Sequence, residues 1–129
     1  MAGREYELGG AELEVLKVLW VNGPQAVRAV LNDLHGSGRK VAYTTVQTML
    51  TRLEQKGFVR SDKSGLAYIY RATVSRERLS RSRLKSLLNQ LYDGAAGPLV
   101  LQLLRTQRLS SDEIGELQAL IEQLDSKED

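Results

Sequence analysis

The run Ala42-Tyr43-Thr44-Thr45-Val46-Gln47-Thr48-Met49-Leu50-Thr51-Arg52-Leu53-Glu54-Gln55-Lys56-Gly57 decides how this chain is read. At about 3.6 residues per turn, Val46, Met49, Leu50 and Leu53 fall at i, i+3, i+4 and i+7 and form one apolar stripe. Thr44, Thr45, Gln47, Thr48, Thr51 and Arg52 fill the rest of the circumference. Threonine is a poor helix former, and Glu or Lys would serve an ordinary solvent face better. Such a face suits a helix that enters the major groove of DNA. Thr and Gln hydrogen-bond base edges, the Thr methyl touches a thymine methyl, and Arg holds a phosphate. Gly57 directly after Lys56 stops the helix. Taken alone, a core helix with a Thr-rich outer face explains the run equally well, so the flanks decide.

After Gly57 the period changes to two. Residues 58–61 and 67–71 read as short strands joined by Asp62-Lys63-Ser64-Gly65-Leu66, with Lys63 at the tip. Tyr68 and Tyr70 share one strand face and are expected to pack on the preceding helix. Upstream, Leu13, Leu16, Leu19 and Trp20 mark a first helix over 11–21, ended by Asn22-Gly23-Pro24. Val27, Val30, Leu31 and Leu34 mark a second over 25–35, ended by Gly36-Ser37-Gly38. Glu12 and Glu14, two apart, point to different sides and read as solvated carboxylates rather than an acid–base pair. His35, the sole histidine, sits at a helix end, where the dipole favours it. Three helices followed by a basic-tipped hairpin predict a winged helix-turn-helix: mainly α, with one small β-hairpin.

Charge supports the DNA reading. From Arg39 to Arg71 there are seven basic residues against two acids, a balance of +5; from Asp93 to the end there are three against eight, a balance of −5. A basic middle beside an acidic end argues for a part that binds a polyanion and a part with another task. The 129 residues suffice for one domain, or a small domain with an oligomerisation segment. There is no Cys, and the lone His has no ligand-spaced companions, so no metal or other cofactor is expected. No nucleophile–base set or phosphate loop is present, which argues against an enzyme. No leader-like start and no long apolar run occur, which predicts a cytoplasmic protein without membrane insertion.

Beyond Val74 the chain becomes leucine-rich. Ser75 is a candidate N-cap, with Val74 and Leu79 as a hydrophobic staple. Basic residues open this helix, and Leu84, Leu87, Leu88 and Leu91 follow. Gly94 and then Gly97-Pro98 break the chain before a short helix over 99–104, apolar nearly all round and so expected to be buried. Ser110-Ser111-Asp112-Glu113 reads as a capping box. Ile114, Leu117, Ile121 and Leu124 then fall at a/d spacing. Too few residues remain for a separate core. The simplest use of Leu84, Leu87, Leu88, Leu91, Leu99, Leu103, Ile114, Leu117, Ile121 and Leu124 is to bury them against another copy; folding back on the first domain is the alternative. The expected division is a DNA-binding domain over 1–74 and a dimerisation domain over 75–129.

The residues from Leu8-Gly9 to Trp20, the run Ala42 to Leu53 with Lys56-Gly57, the run Ala67-Tyr68-Ile69-Tyr70-Arg71, and Leu99-Val100-Leu101-Gln102-Leu103 together resemble the penicillinase-repressor family. The likeness runs from about Leu8 to Leu124. It implies a homodimeric transcriptional repressor in which each winged helix binds half of a palindromic operator in double-stranded DNA. Matched positions put base reading on Thr44, Thr45, Gln47 and Thr48; some members carry basic residues at the first and third of these. Copper-responsive members carry a Cys-rich C-terminal motif, which this chain lacks. In β-lactam-responsive members a membrane sensor-protease signal leads to a cut that maps to Gln102-Leu103, where those members have Asn-Phe.

The expected DNA-binding set is Arg39, Lys40, Tyr43, Thr44, Thr45, Gln47, Thr48, Thr51, Arg52 and Lys63, with Arg39, Lys40, Arg52 and Lys63 as phosphate holders. The expected function is a dimeric repressor released when its dimer is disrupted, by proteolysis at Gln102-Leu103, by a small ligand or by dilution. An architectural winged helix reading backbone and shape, and a protein-interaction module, are the alternatives.

Overall fold

The computed structural model describes residues 8–128. The order is α1 (Gly10–Asn22), β1 (Gln25–Ala26), α2 (Val27–Gly36), α3 (Tyr43–Gln55), β2 (Val59–Asp62), β3 (Ile69–Ala72), α4 (Arg76–Tyr92), α5 (Ala96–Thr106) and α6 (Ser111–Glu128). The chain divides into two compact units, one ending at Arg81 and the other beginning at Ser82, so the division falls inside α4.

The first unit is built on the apolar stripes legible in its sequence. Val15, Leu16 and Leu19 of α1, Val27, Val30, Leu31 and Leu34 of α2, and Val46, Leu50 and Leu53 of α3 form one buried cluster with Val59 and Tyr70. Val46, Leu50 and Leu53 have no solvent exposure; the stripe that defines α3 is the centre of the core. A sheet of order β1-β3-β2, antiparallel throughout, covers this cluster. Val59 pairs with Ala72 and Ser61 with Tyr70 on its inner face; Arg60 pairs with Arg71 on its outer face.

β1 was not foreseen from periodicity, which places residues 25–35 in one helix. Gln25 and Ala26 are extended and pair with Tyr70 and Ile69, filling the second edge of β3, and α2 starts only at Val27. A two-residue strand leaves no periodic trace. It exists because the edge of β3 needs partners for its backbone groups.

Backbone locks set the ends of α3. Gly57, at φ +86°, closes it: the Gly57 amide donates to the Glu54 carbonyl at 3.0 Å and the Phe58 amide to the Leu53 carbonyl at 2.9 Å. This double bond is the Schellman arrangement, which requires a left-handed residue where only glycine sits without strain. The same pattern ends α2 at Gly38 (φ +90°), with Gly38 donating to His35 and Arg39 to Leu34.

Two predicted features differ. Tyr70 is buried, 4 % exposed, but Tyr68 lies outside β3 and is 48 % exposed. The strand begins two residues later than alternation suggested, so Tyr68 belongs to the wing loop. Glu12 is not solvated: it is 7 % exposed, accepting the Lys56 ammonium at 2.7 Å and the Gly9 amide at 3.2 Å. Burial pushes its carboxyl up, but Lys56, the Gly9 amide and the Arg52 charge outweigh that and hold it below its ordinary value of 4.5. A depressed carboxyl stabilises the fold above its unfolded pKa, and that stability is lost as pH falls through the folded pKa. Glu12→Gln is therefore expected to cost about 1–3 kcal/mol at neutral pH, a gap that closes below pH 4.5. Urea midpoints of both proteins at neutral and acidic pH check this. A gap independent of pH would show that the carboxylate's charge contributes nothing.

The second unit is a different kind of object. Ser75 caps α4 through the Arg78 amide, 3.0 Å from its hydroxyl. The capping box of α6 forms in both directions, the Ser110 amide to Glu113 at 2.9 Å and the Glu113 amide to Ser110 at 3.1 Å. Gly97-Pro98 does not precede α5 but lies in its first turn, where proline's missing N–H leaves no helical bond unmade. The expected burial of α5 is absent within one chain: α4 and α5 have no buried residue, and Val100, Leu101 and Leu103 are exposed.

Candidate nucleic-acid interface

On α3, Thr44, Gln47, Thr48 and Thr51 themselves fall at i, i+3, i+4 and i+7, a second stripe roughly opposite the buried one. All four are exposed, as are Tyr43, Thr45 and Arg52. The helix has no acid in its first turn, and its N-cap, Ala42, makes no side-chain cap bond, so its first amides and positive dipole end face outward. That end suits a phosphate.

Hydrogen bonds define what each side chain can offer. Thr48 donates its hydroxyl proton to the Thr44 carbonyl at 2.9 Å, and Thr51 donates to the Gln47 carbonyl at 3.0 Å. Both then present a methyl group and acceptor lone pairs outward, suited to a thymine methyl or a base amino group. Thr51 also lies beside the Tyr70 phenol of the sheet. Burial raises the Tyr70 phenol above its ordinary value, as does the nearby Glu54 charge, while the Thr51 hydroxyl acts the other way. Gln47 has no side-chain hydrogen bond among the described residues. Its amide is free to donate and accept at once, the bidentate pattern that fits adenine.

The wing is fastened to the same helix. Glu54 accepts the Ser61 amide at 3.0 Å and the Ser61 hydroxyl at 2.8 Å. Thr73 reaches back to the Gly57 carbonyl at 2.6 Å, and the Trp20 indole donates to the Val74 carbonyl at 2.8 Å. At the wing tip Ser64 donates both amide and hydroxyl to Asp62, at 3.0 and 2.7 Å. These bonds, with the Arg71 charge, hold the Asp62 carboxyl low. The Lys63 ammonium stands 5.4 Å from the Tyr68 ring centre.

The other expected phosphate holders are placed differently. Arg39 pairs with Glu14 at 2.9 Å in a half-exposed bridge, a contact worth little in water that an anion can displace. Lys40 is exposed just before α3. Three further arginines lie outside the expected DNA-binding set. Arg28 lies over the Tyr43 ring at 4.9 Å, bringing a base from α2 to the start of α3. Arg60 and Arg71 face each other across β2 and β3, both exposed. Like charges directly opposite destabilise a sheet, and a phosphate would relieve them. The signal was present in the sequence, but the cross-strand register that joins them was not.

Among the described residues no group of three or more metal-binding side chains occurs, and no helix is long and apolar enough to cross a membrane. A shallow groove of about 680 Å³ lies between α1 and α2, lined by Glu14, Lys17, Asn22, Asp33 and Arg39.

A family model described as penicillinase repressor matches residues 8–123. The chain is similar to the penicillinase repressor of Bacillus licheniformis, 32 % identical over 117 residues and covering 91 % of each chain. It is similar to the methicillin resistance regulatory protein MecI of Mammaliicoccus sciuri, 28 % identical over 121 residues, covering 94 % of this chain and 98 % of that one. Among solved structures, the DNA-binding domain of the repressor BlaI matches with a TM-score of 0.50 at 30 % identity, covering 56 % of this chain and 87 % of that one. A MarR family protein from Bacillus stearothermophilus matches with a TM-score of 0.52 at 18 % identity, covering 98 % and 81 %, a likeness of fold alone.

Proposed function

The chain belongs to the penicillinase repressor family, and from that premise we propose that it is a DNA-binding transcriptional repressor, not an enzyme, that works as a homodimer on a palindromic operator. The observation that carries this reading is the exposed stripe Thr44, Gln47, Thr48 and Thr51 on the helix whose opposite face anchors the core. A base-reading side chain must be held still, and here the buried stripe holds it.

Each winged helix, within residues 1–74, places α3 in the major groove. Gln47 reads an adenine edge, with Thr44, Thr45 and Thr48 around it. Tyr43 and Thr51 shape that surface, the one stacked with Arg28 and the other bonded to the Gln47 carbonyl. Arg39, Lys40, Arg52 and Lys63 hold phosphates, joined by Arg28, Arg60 and Arg71. Residues 75–129 join two copies through the stripes of α4, α5 and α6. The protein acts in the cytoplasm by occupying a promoter, and repression ends when the dimer is lost. A sensor-protease cut at Gln102-Leu103 is one route. That bond lies inside α5, so the helix must first open locally.

The test is operator titration of Gln47→Ala. Its expected cost is roughly 1–3 kcal/mol per half-site on the operator, with little change on random DNA of the same length. Equal weakening on both would replace base reading by Gln47 with a reading of backbone and shape.

A further inference from the structure

Glu54 is the single acid on α3, and its charge serves neither the helix nor a DNA ligand. In the last turn a carboxylate opposes the helix dipole, and on an element that enters a groove it repels phosphates. Its bonds lie elsewhere. β2 is an edge strand of the sheet, and the Ser61 amide on that strand donates to the Glu54 carboxylate at 3.0 Å. The Ser61 hydroxyl reaches the same carboxylate at 2.8 Å. Both residues are half-buried, and hydrogen bonds to a charged acceptor are the strong ones. The base of the hairpin is fixed separately, by the Thr73 amide on the Phe58 carbonyl at 2.9 Å and the Thr73 hydroxyl on the Gly57 carbonyl at 2.6 Å. The tip is braced within itself by the two bonds from Ser64 to Asp62. Glu54 grips β2 between base and tip, at the residue two before Lys63.

Resting on the reading of Lys63 as a phosphate holder, we infer that Glu54 is the positioning residue of the wing: it locks β2 to the end of α3 so that Lys63 meets the DNA backbone while α3 lies in the groove. A hairpin held only at its base swings about that base, and Lys63 at its tip then loses its register with the phosphate. Held at Ser61 as well, the tip moves with α3 as one body. A first contact held in place by a second layer of bonds is what a binding site needs. The sign of the effect separates this from charge alone. If Glu54 acted only as a charge, removing it would strengthen DNA binding, because one repulsion is lost. As the wing's anchor, its removal weakens binding even though the chain becomes more basic.

The test is salt titration of full-length variants on a random-sequence duplex, since a phosphate contact does not depend on sequence. Circular dichroism verifies the fold of each. Lys63→Ala should make the log–log salt slope shallower by about 0.9 for each winged helix bound. Glu54→Ala should bind more weakly than the wild type and show the same loss of slope. The two together should lose no more than either alone, the non-additivity of residues that act as a unit; a general loss of stability would not produce that pattern. Glu54→Gln removes the charge but keeps an oxygen for the Ser61 amide and an N–H for the Ser61 hydroxyl. It should retain the wild-type slope and bind at least as tightly as the wild type. A Glu54→Ala chain that binds as tightly as the wild type with an unchanged slope, beside a Lys63→Ala chain whose slope has fallen, would overturn the inference alone. An unchanged slope in Lys63→Ala would instead overturn the reading of Lys63 as a phosphate holder, and the positioning role with it.

Discussion

A chain stopped after Leu101 is expected to bind a two-half-site operator about 10²–10⁴-fold more weakly than the full chain, while its affinity for a single half-site stays the same. The truncation removes α6 and half of α5 but none of the buried cluster of α1, α2, α3 and the sheet. What it takes away is the linkage. Once one winged helix of a dimer is seated, the other is held near its half-site at high effective concentration, and the gain needs no new contact. A single winged helix keeps only its own phosphate contacts and falls toward non-specific strength. Light scattering and operator titration of the two chains, with full and half operators, decide it. A truncated chain that remained dimeric and bound the palindrome as tightly would remove α5 and α6 from control of repression.

Leu50→Ala is expected to cost about 2–5 kcal/mol of folding stability, a large share of the 5–15 kcal/mol that holds a typical domain together. Leu50 has no exposed surface and stands in mid-helix between Val46 and Leu53, with α1, α2 and the sheet around the same cluster. Truncation leaves a cavity within that cluster. The reading face of α3 is chemically unchanged, so the folded fraction should still discriminate operator from random DNA. Saturating operator should recover part of the lost stability by mass action. Urea unfolding with and without operator separates this from Gln47→Ala, which should lose discrimination and keep stability. Loss of discrimination in folded Leu50→Ala would mean that the buried stripe shapes the reading surface more directly than packing implies.

The contrast between those two substitutions marks what sequence could decide. The three-helix core, α3 with its two faces, the stop at Gly57 and both helix caps at Ser75 and Ser110 were legible because each depends on residues within a turn or two of one another. Apolar spacing, a left-handed glycine and a hydroxyl two or three residues before the amide it accepts are local chemistry, and periodicity reports them directly. The proposed reading residues followed from the same periodicity, since a helix with one buried face has only one face left to present.

Everything that joined distant segments depended on the tertiary structure. Glu12 looked solvated until the fold brought Lys56 to it from 44 positions away. β1 has no period to detect and forms because β3 has a second edge. Tyr68 and Tyr70 look equivalent in alternation, but only Tyr70 falls where β3 meets the core. Arg60 and Arg71 are 11 apart in sequence and become neighbours through strand register. The apolar run in α5 predicted burial, yet a single chain leaves it exposed. A leucine stripe records that a surface must be covered; which surface covers it is decided by packing across long sequence separations, where spacing carries no information.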